Sequence, residues 1–244
     1  MSHNSDDLQI ADTGNRTRRW IVYVIGIYIL TLGVSLMVRA GIGISPQSSL
    51  TRTMTLVYPP LTQGTYNFIL EMIMLFLTYL VLPKDFSLKS FASLIPAFVA
   101  AACLDFNLYL TSIIQIDIYY VRVALLVFAD MALAFGLFLM IRANLILMPV
   151  DMFVDTVFKR TGWKWGNIKT VFDCALLAIA AGIGLLFLGK VTFIREGTII
   201  NAILVGQFIK LYFFLFRKIQ VWKMSASPKN ADPVADPGQQ TLAH

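Results

Sequence analysis

Histidine, cysteine and charged residues are scarce in this sequence. Its 244 residues include two histidines, His3 and His244 at the ends, and two cysteines. This scarcity argues against a disulfide framework and against a histidine-based metal site. Charged residues make up 14% of the chain, against about a quarter in soluble domains. A cytosolic domain of this composition would expose too much apolar surface, so the chain is typical of a polytopic membrane protein.

Long apolar runs are what the sequence does have. A spanning helix needs about 20 apolar residues. Six stretches qualify, at roughly 20–38, 65–82, 90–112, 121–141, 167–188 and 197–216. Open strands would leave backbone groups unpaired in lipid, so the predicted fold class is all-α, with six transmembrane helices. Residues 1–19 and 219–244 are polar, and we expect a cytoplasmic tail at each end, the second one disordered.

The distribution of lysine and arginine predicts the orientation in the membrane. With the N-terminus inside, the inner segments hold 14 of these residues and the outer segments hold 5. We therefore expect a multi-pass protein of the inner (plasma) membrane with both termini in the cytoplasm. This topology accounts for the net charge of +6, so no nucleic-acid partner is needed to explain it.

An internal repeat is the most informative pattern in the chain. Residues 33–46 read GVSLMVRAGIGISP, and residues 136–149 read GLFLMIRANLILMP. The shift of 103 becomes 102 further on, where Glu71 aligns with Asp173. Each half, 20–112 and 121–218, holds three spans, so the second half enters the membrane from the opposite side. The sequence thus predicts two inverted three-helix repeats, an arrangement common in secondary transporters.

Each half also has a short extra helix after its first span. A polar break precedes Pro46 in the first half and Pro149 in the second, and proline suits the first position of a helix. The residues that follow are amphipathic in both halves. One interpretation is a helix lying on the membrane surface. The other is a half-helix whose positive N-terminal end faces a cavity.

The same residues carry a resemblance to a known family. The chain resembles the YczE/YyaS/YitT group of bacterial membrane proteins, and is closer to YczE. The matching pieces are the AGIGISP stretch ending at Pro46, Gly64 at the entry to the second span, and IREGTIINAILVG at 194–206. The resemblance covers roughly 20–216 and implies a six-span inner-membrane protein. It also implies a relation to the membrane substrate-binding subunits of vitamin transporters, although the small-residue motif of their first span is not evident here.

Ionisable residues inside the predicted spans are candidates for a binding site, because they are expensive in lipid. Five of them lie within roughly 6 Å of the predicted midplane, at 1.5 Å per residue. In each half, one arginine lies at the end of the first span. The candidate substrate-binding residues are therefore Glu71, Asp173, Asp105, Asp130, Lys210, Arg39 and Arg142. Each has a structural alternative: hydrogen bonds between helices for the acids, a charge pair between Asp105 and Lys210, and helix-end contacts for the arginines.

Two functions remain open on these observations. The first is a transporter or solute-binding membrane subunit for a small solute, with its site at the midplane between the repeats. A surplus of carboxylates in one shared cavity would suit a cationic solute. The second is a structural or regulatory membrane protein that stabilises a partner membrane protein or a homo-oligomer. The sequence has no catalytic, nucleotide-binding or metal-binding motif, so we expect neither an enzyme nor a cofactor.

Overall fold

The protein is all α-helical in the part of the chain that the structure describes, residues 15–83, 86 and 88–225 of a computed structural model. These described residues form eight α-helices: α1 (Arg16–Ala40), α2 (Pro46–Val57), α3 (Gln63–Val81), α4 (Leu94–Leu110), α5 (Tyr119–Ala143), α6 (Pro149–Thr161), α7 (Trp165–Leu188) and α8 (Glu196–Ser225). Two short 3₁₀ helices flank α4. The predicted all-α class is confirmed. Of the predicted tails, 1–14 and 226–244 lie outside the described residues, and α8 continues through 219–225.

Six of these helices are long and apolar enough to cross a membrane: α1, α3, α5, α7, α8 and the helix that includes α4. They correspond to the six predicted spans, which are confirmed. By contrast, α2 has 12 residues and α6 has 13. At 1.5 Å per residue these two helices are only about 18–20 Å long, too short to cross the hydrocarbon core.

The breaks between long and short helices have a clear local cause. Helix α1 ends at Gly41, with φ of +66°, and α5 ends at Asn144, with φ of +44°. Glycine and asparagine tolerate this left-handed conformation better than other residues. Pro46 and Pro149 then occupy the first positions of α2 and α6, as predicted.

The centre of the bundle is the crossing of α1 and α5. Gly33 lies against the backbone of Ala129 and Leu133, and Gly136 lies against the backbone of Gly26 and Leu30. Glycine allows the two helix axes to approach closely, because no side chain separates them. Following the predicted topology, we call the side that holds Arg16 the inner side and the side that holds the end of α1 the outer side.

The short helices cross from one half of the chain to the other. Helix α2 packs against α7, and α6 packs against α3. Around the central pair, α4 packs against α1 and α8 packs against α5. These pairings are those expected for two related three-helix halves, although the inverted repeat itself stays a prediction.

Candidate functional site

Helix α6 begins inside the bundle rather than at its inner surface. At the inner end of α1, Arg19 Nε donates a hydrogen bond to the carbonyl of Ala143, the last residue of α5, at 3.0 Å. One turn deeper along α1, the hydroxyl of Tyr23 donates to the carbonyl of Ile146 at 2.6 Å. The chain therefore turns back after α5 and runs along α1 from the inner surface toward the centre of the bundle before α6 starts. This geometry favours the half-helix interpretation for α6.

Helix α2 begins in the interior as well. The amide of Gly197, at the outer start of α8, donates to the carbonyl of Ile42 at 2.9 Å. Five residues later, Gln47 Nε2 reaches Asn67 Oδ1 and Glu71 Oε1, both at 3.0 Å, on α3. Because Glu71 lies near the middle of α3, the chain has passed from the outer end of the bundle to its centre. The starts of α2 and α6 thus converge from opposite sides.

Glu71 is the point where the two short helices meet. Its side chain is 1% exposed. Oε1 accepts the hydrogen bond from Gln47 on α2, and Oε2 accepts one from the backbone amide of Val150 on α6 at 3.0 Å. Val150 is the second residue of α6, so its amide has no partner within its own helix. The partial positive charge of that helix end stabilises a carboxylate there.

A stripe of polar side chains runs along α3 on both sides of Glu71. Gln63, Asn67, Glu71 and Thr78 fall within an arc of about 80° at 100° per residue. Gln63 begins the stripe at the outer end. It is 2% exposed, and neither polar atom of its amide has a hydrogen-bond partner in the described part of the chain. We define these four residues as the α3 polar stripe.

A cavity lies at the inner end of the stripe. Its volume is about 250 Å³, and the polar members of its lining are Thr78, Ser90, Asp155, Thr156 and Lys159. Asp155 and Lys159 form an ion pair on α6, with 2.7 Å between carboxylate and ammonium. Glu71 lies seven residues above Thr78 on α3, about 10 Å away. The buried carboxylate therefore stands between this inner cavity and the outer part of the stripe.

The corresponding positions of the second half also carry polar groups. Lys169 Nζ binds Asp173 Oδ1 at 2.8 Å on α7. These two residues align with Asn67 and Glu71 at the shift of 102. Both are close enough to Asp151, in the first turn of α6, for their charges to act on it. Asp173 is therefore neutralised by a neighbouring lysine, whereas Glu71 is held by uncharged donors.

Asp130 belongs to a different place in the bundle. Its side chain is completely buried where α5 faces α8, and its Oδ1 accepts a hydrogen bond from Asn201 Nδ2 at 2.8 Å. No described residue bonds to Oδ2. Asn201 could not be singled out from the sequence, because asparagine carries no charge to mark it in an apolar helix. Asp130 and Asn201 link two helices away from the α3 stripe.

The predicted charge pair between Asp105 and Lys210 does not form in the part of the chain that the structure describes. Asp105 Oδ1 accepts from the amide of Gly64 at 2.7 Å, and Oδ2 accepts from the hydroxyl of Thr62 at 2.6 Å. The carboxylate thereby caps the outer start of α3, where free amides favour an anion. Lys210 is exposed on α8, which packs against α5. The alignment places the two residues at corresponding positions of the third and sixth spans, but the structure does not bring them to one interface.

Arg39 and Arg142 make contacts at helix ends, as the structural alternative to a binding role predicts. Arg39 at the end of α1 donates to the carbonyl of Leu108 at 2.5 Å and to the hydroxyl of Thr111 at 3.3 Å. Arg142 lies over the ring of Phe216, with 3.8 Å between guanidinium carbon and ring centroid. Neither arginine is brought to Glu71. The structure thus gathers two of the seven candidates, Glu71 and Asp173, around the starts of the short helices, and adds Gln47 there.

Comparison with known proteins gives the family. Residues 17–213 match a family of unknown function, DUF6198. The chain belongs to this family. It is 26% identical to the uncharacterized membrane protein YczE of Bacillus subtilis (strain 168) over 223 residues, which cover 90% of this chain and 95% of that protein. The YczE-like resemblance is confirmed, and the protein is an integral membrane protein with several spans. No solved structure matches it.

Proposed function

We propose that this membrane protein binds and transports a small solute along the α3 polar stripe. In this proposal the contacts of Glu71 with α2 and α6 block the path in the described conformation. The observation that carries the proposal is that two broken helices meet on one buried carboxylate in the middle of a spanning helix. Such broken helices form the solute sites of many secondary transporters. A bundle built only for rigidity gains little from a buried carboxylate, because its desolvation is costly.

The free amide of Gln63 supports a polar path. A buried amide with no partner costs about 1–3 kcal/mol. Its position at the outer end of the stripe therefore favours the presence of water or solute beside it. At the other end, Thr78 faces a cavity with a charged lining. The polar groups therefore continue from the outer end of α3 to the inner cavity, interrupted by the contacts of Glu71.

The arrangement around Glu71 favours a solute that carries a positive charge or a hydrogen-bond donor. Oε1 is held by the side chain of Gln47, which can rotate away, whereas Oε2 is held by a helix backbone. A donor group of the solute can take the place of the Gln47 amide without breaking α6. Asn67 Oδ1 would be released at the same time and would offer a second acceptor.

The test is ligand-induced stabilisation of the purified protein in detergent. The probes are a panel of small amines, from ethanolamine to choline, with neutral amino acids as a comparison set. A true ligand at 100 times its Kd stabilises by about 2.7 kcal/mol. We expect one probe class to raise the melting temperature of wild type, and this increase to be lost in Glu71→Ala.

The matched control is Glu196→Gln, which neutralises a half-exposed glutamate near Arg195. It should respond to the probes as wild type does. Uptake of the stabilising probe into proteoliposomes then separates transport from binding alone. Equal stabilisation of wild type and Glu71→Ala by every active probe would contradict the assignment of the site.

The alternative function, support of a partner membrane protein, also has an observation in its favour. In the most apolar 18-residue stretch of α8, 6% of the residues are buried, against 50% in that of α1. A helix with so little contact in its own chain is suited to packing against another protein. Cross-linking in native membranes from a cysteine placed at Ile203, on the exposed side of α8, tests this alternative. A specific heterologous product would favour it.

A further inference from the structure

Four arginines gather around the outer end of α1, and three of them have a structural partner. Arg39 donates to the carbonyl of Leu108. Arg122 Nε donates to the carbonyl of Ile116 at 2.7 Å, and Arg195 donates to the carbonyl of Gly41 at 3.4 Å. These carbonyls lie where helices or loops end and have no helical partner, so the arginines satisfy them. No ligand is needed to explain these three side chains.

Arg52, on α2, is the exception. Its side chain is partly buried, and its Nε is shielded from solvent with no hydrogen-bond partner in the described ranges. No ion pair joins it to an acidic residue among those ranges. The charge that acts on it is that of Arg39, which has the same sign. The two guanidinium groups are thus within electrostatic range of each other at the outer end of the bundle, and the buried Nε of Arg52 has no acceptor in the described residues.

The acidic residues of this side are Asp105, Asp117 and Glu196, and none of them is paired with Arg52 in the described ranges. Asp105 accepts from Thr62 and Gly64 at the start of α3. Glu196 lies 3.8 Å from its neighbour Arg195. Arg39 uses Nε and Nη2 for its contacts with α4 and the turn after it, and no described residue accepts from its Nη1. Asp117 is exposed in the loop before α5 and forms no ion pair in the described ranges. Arg52 therefore has no anionic partner in the part of the chain that the structure describes.

We propose that Arg52 and Arg39 together bind an oxyanion at the outer end of the bundle. A planar guanidinium presents paired N–H groups that match carboxylate and phosphate oxygens. An oxyanion between the two arginines removes their repulsion and supplies the acceptor that the buried Nε of Arg52 lacks. The residues involved are separate from the Glu71 site, so this proposal does not depend on the proposed function.

The phosphate of an anionic lipid headgroup and a free phosphate in solution offer the same chemistry to these arginines. The experiment uses full-length protein in a non-ionic detergent and a phosphate-free buffer. One arm titrates inorganic phosphate, with sodium chloride holding the ionic strength constant. The other arm adds phosphatidylglycerol to the micelles, with phosphatidylcholine as the reference lipid, and counts bound lipid by native mass spectrometry.

We expect one of the two probes to raise the melting temperature of wild type by several degrees. Arg52→Gln should weaken the apparent affinity for that probe about tenfold or more, as loss of a charged hydrogen bond predicts. Arg52→Lys should show an intermediate affinity, because an ammonium cannot bind in the paired manner. Arg195→Gln, which removes an arginine with a carbonyl partner, should bind the probe as wild type does.

A readout without any anion separates binding from a structural role. If Arg52 has no partner in the protein, Arg52→Gln should melt at or above the wild-type temperature in the phosphate-free buffer, because a repulsion is removed. A lower melting temperature there would overturn the proposal, since Arg52 would then hold the fold together. The proposal also fails if neither probe stabilises wild type, or if Arg52→Gln and Arg195→Gln respond equally.

Discussion

Alanine at Gly33 or Gly136 should weaken the bundle although alanine is the better helix former. A Cβ at Gly33 would lie 2.7 Å from the amide nitrogen of Leu133, and one at Gly136 would lie 2.5 Å from that of Leu30. Both neighbours are backbone atoms in the facing helix. They cannot rotate away as a side chain can, so α1 and α5 would have to separate.

The magnitude follows from two opposing effects. Alanine gains about 1 kcal/mol over glycine from helix propensity. Overpacking of a tight core costs about 1–3 kcal/mol, and the upper end applies when the backbone itself must move. We therefore expect each substitution to lower the free energy of unfolding by about 2 kcal/mol. The two should not be additive, because separating the helices once relieves both contacts.

The assay is thermal unfolding in detergent, followed by intrinsic tryptophan fluorescence. Gly182 on α7 and Gly206 on α8 provide matched controls, because an added Cβ at either position meets no atom within 4 Å. Gly182→Ala and Gly206→Ala should melt at or above the wild-type temperature. If Gly33→Ala and Gly136→Ala behave like these controls, α1 and α5 do not cross as closely as described here.

Three further outcomes follow from the helix ends, the buried acid and the charge distribution. Asp105→Ala should lower the free energy of unfolding by about 1–2 kcal/mol, because α3 loses its cap. Lys210→Met should lower it by less than about 0.5 kcal/mol. A coupling energy above about 0.5 kcal/mol in the double mutant would show that the two residues interact after all. Asp130→Ala should cost about 1–3 kcal/mol because it leaves the Asn201 amide unpaired. Asp130→Asn keeps an acceptor and should cost less, so equal melting temperatures for the two variants would count against that hydrogen bond. Reporter fusions at residues 115 and 190 should lie outside and one at the C-terminus inside, whereas an external C-terminus would contradict the predicted topology.

The spans and the breaks could be predicted because each has a local cause. Six apolar runs and two prolines after polar breaks determine the long and short helices, and these features are visible in the sequence. Glu71 could also be found, because a carboxylate in an apolar helix stands out and its counterpart Asp173 lies in the repeat. The α3 polar stripe could also have been predicted, since Gln63, Asn67 and Glu71 follow one another at intervals of four residues and so share one helix face.

The partners of these residues could not be predicted, because they depend on how helices from different parts of the chain meet. Gln47 and Val150 reach Glu71 from α2 and α6, which are separated by some 100 residues. Asp105 was assigned to the interior by its depth alone. Depth gives the height of a residue along the membrane normal but not the direction in which its side chain points, and Asp105 points at the start of α3.

The two halves of the chain differ in how tightly they close, and the difference has a direction. Gly64, at the outer start of α3, lies against Ala101 and Asp105 of α4. Gly166, its counterpart at the inner start of α7, has nothing within 4 Å of an added Cβ. In the described residues α3 packs on α4, but no comparable packing joins α7 to α8. The outer start of α3 is therefore packed against α4 at Gly64, while the inner start of α7 is unpacked at Gly166, on the side that also holds the cavity.

If the repeat is inverted as predicted, exchange of the two conformations closes Gly166 on α8 and opens Gly64 from α4. That exchange would move access to Glu71 from the inner to the outer side, as alternating transport requires. Gly166→Leu fits the open inner end, so it should keep the wild-type melting temperature but stop uptake of the solute identified by the stabilisation screen. Gly182→Leu, on the same helix with the same free space, should transport normally. Full uptake by Gly166→Leu would show that α7 does not close there, and the asymmetry of the halves would then be a fixed feature of the fold.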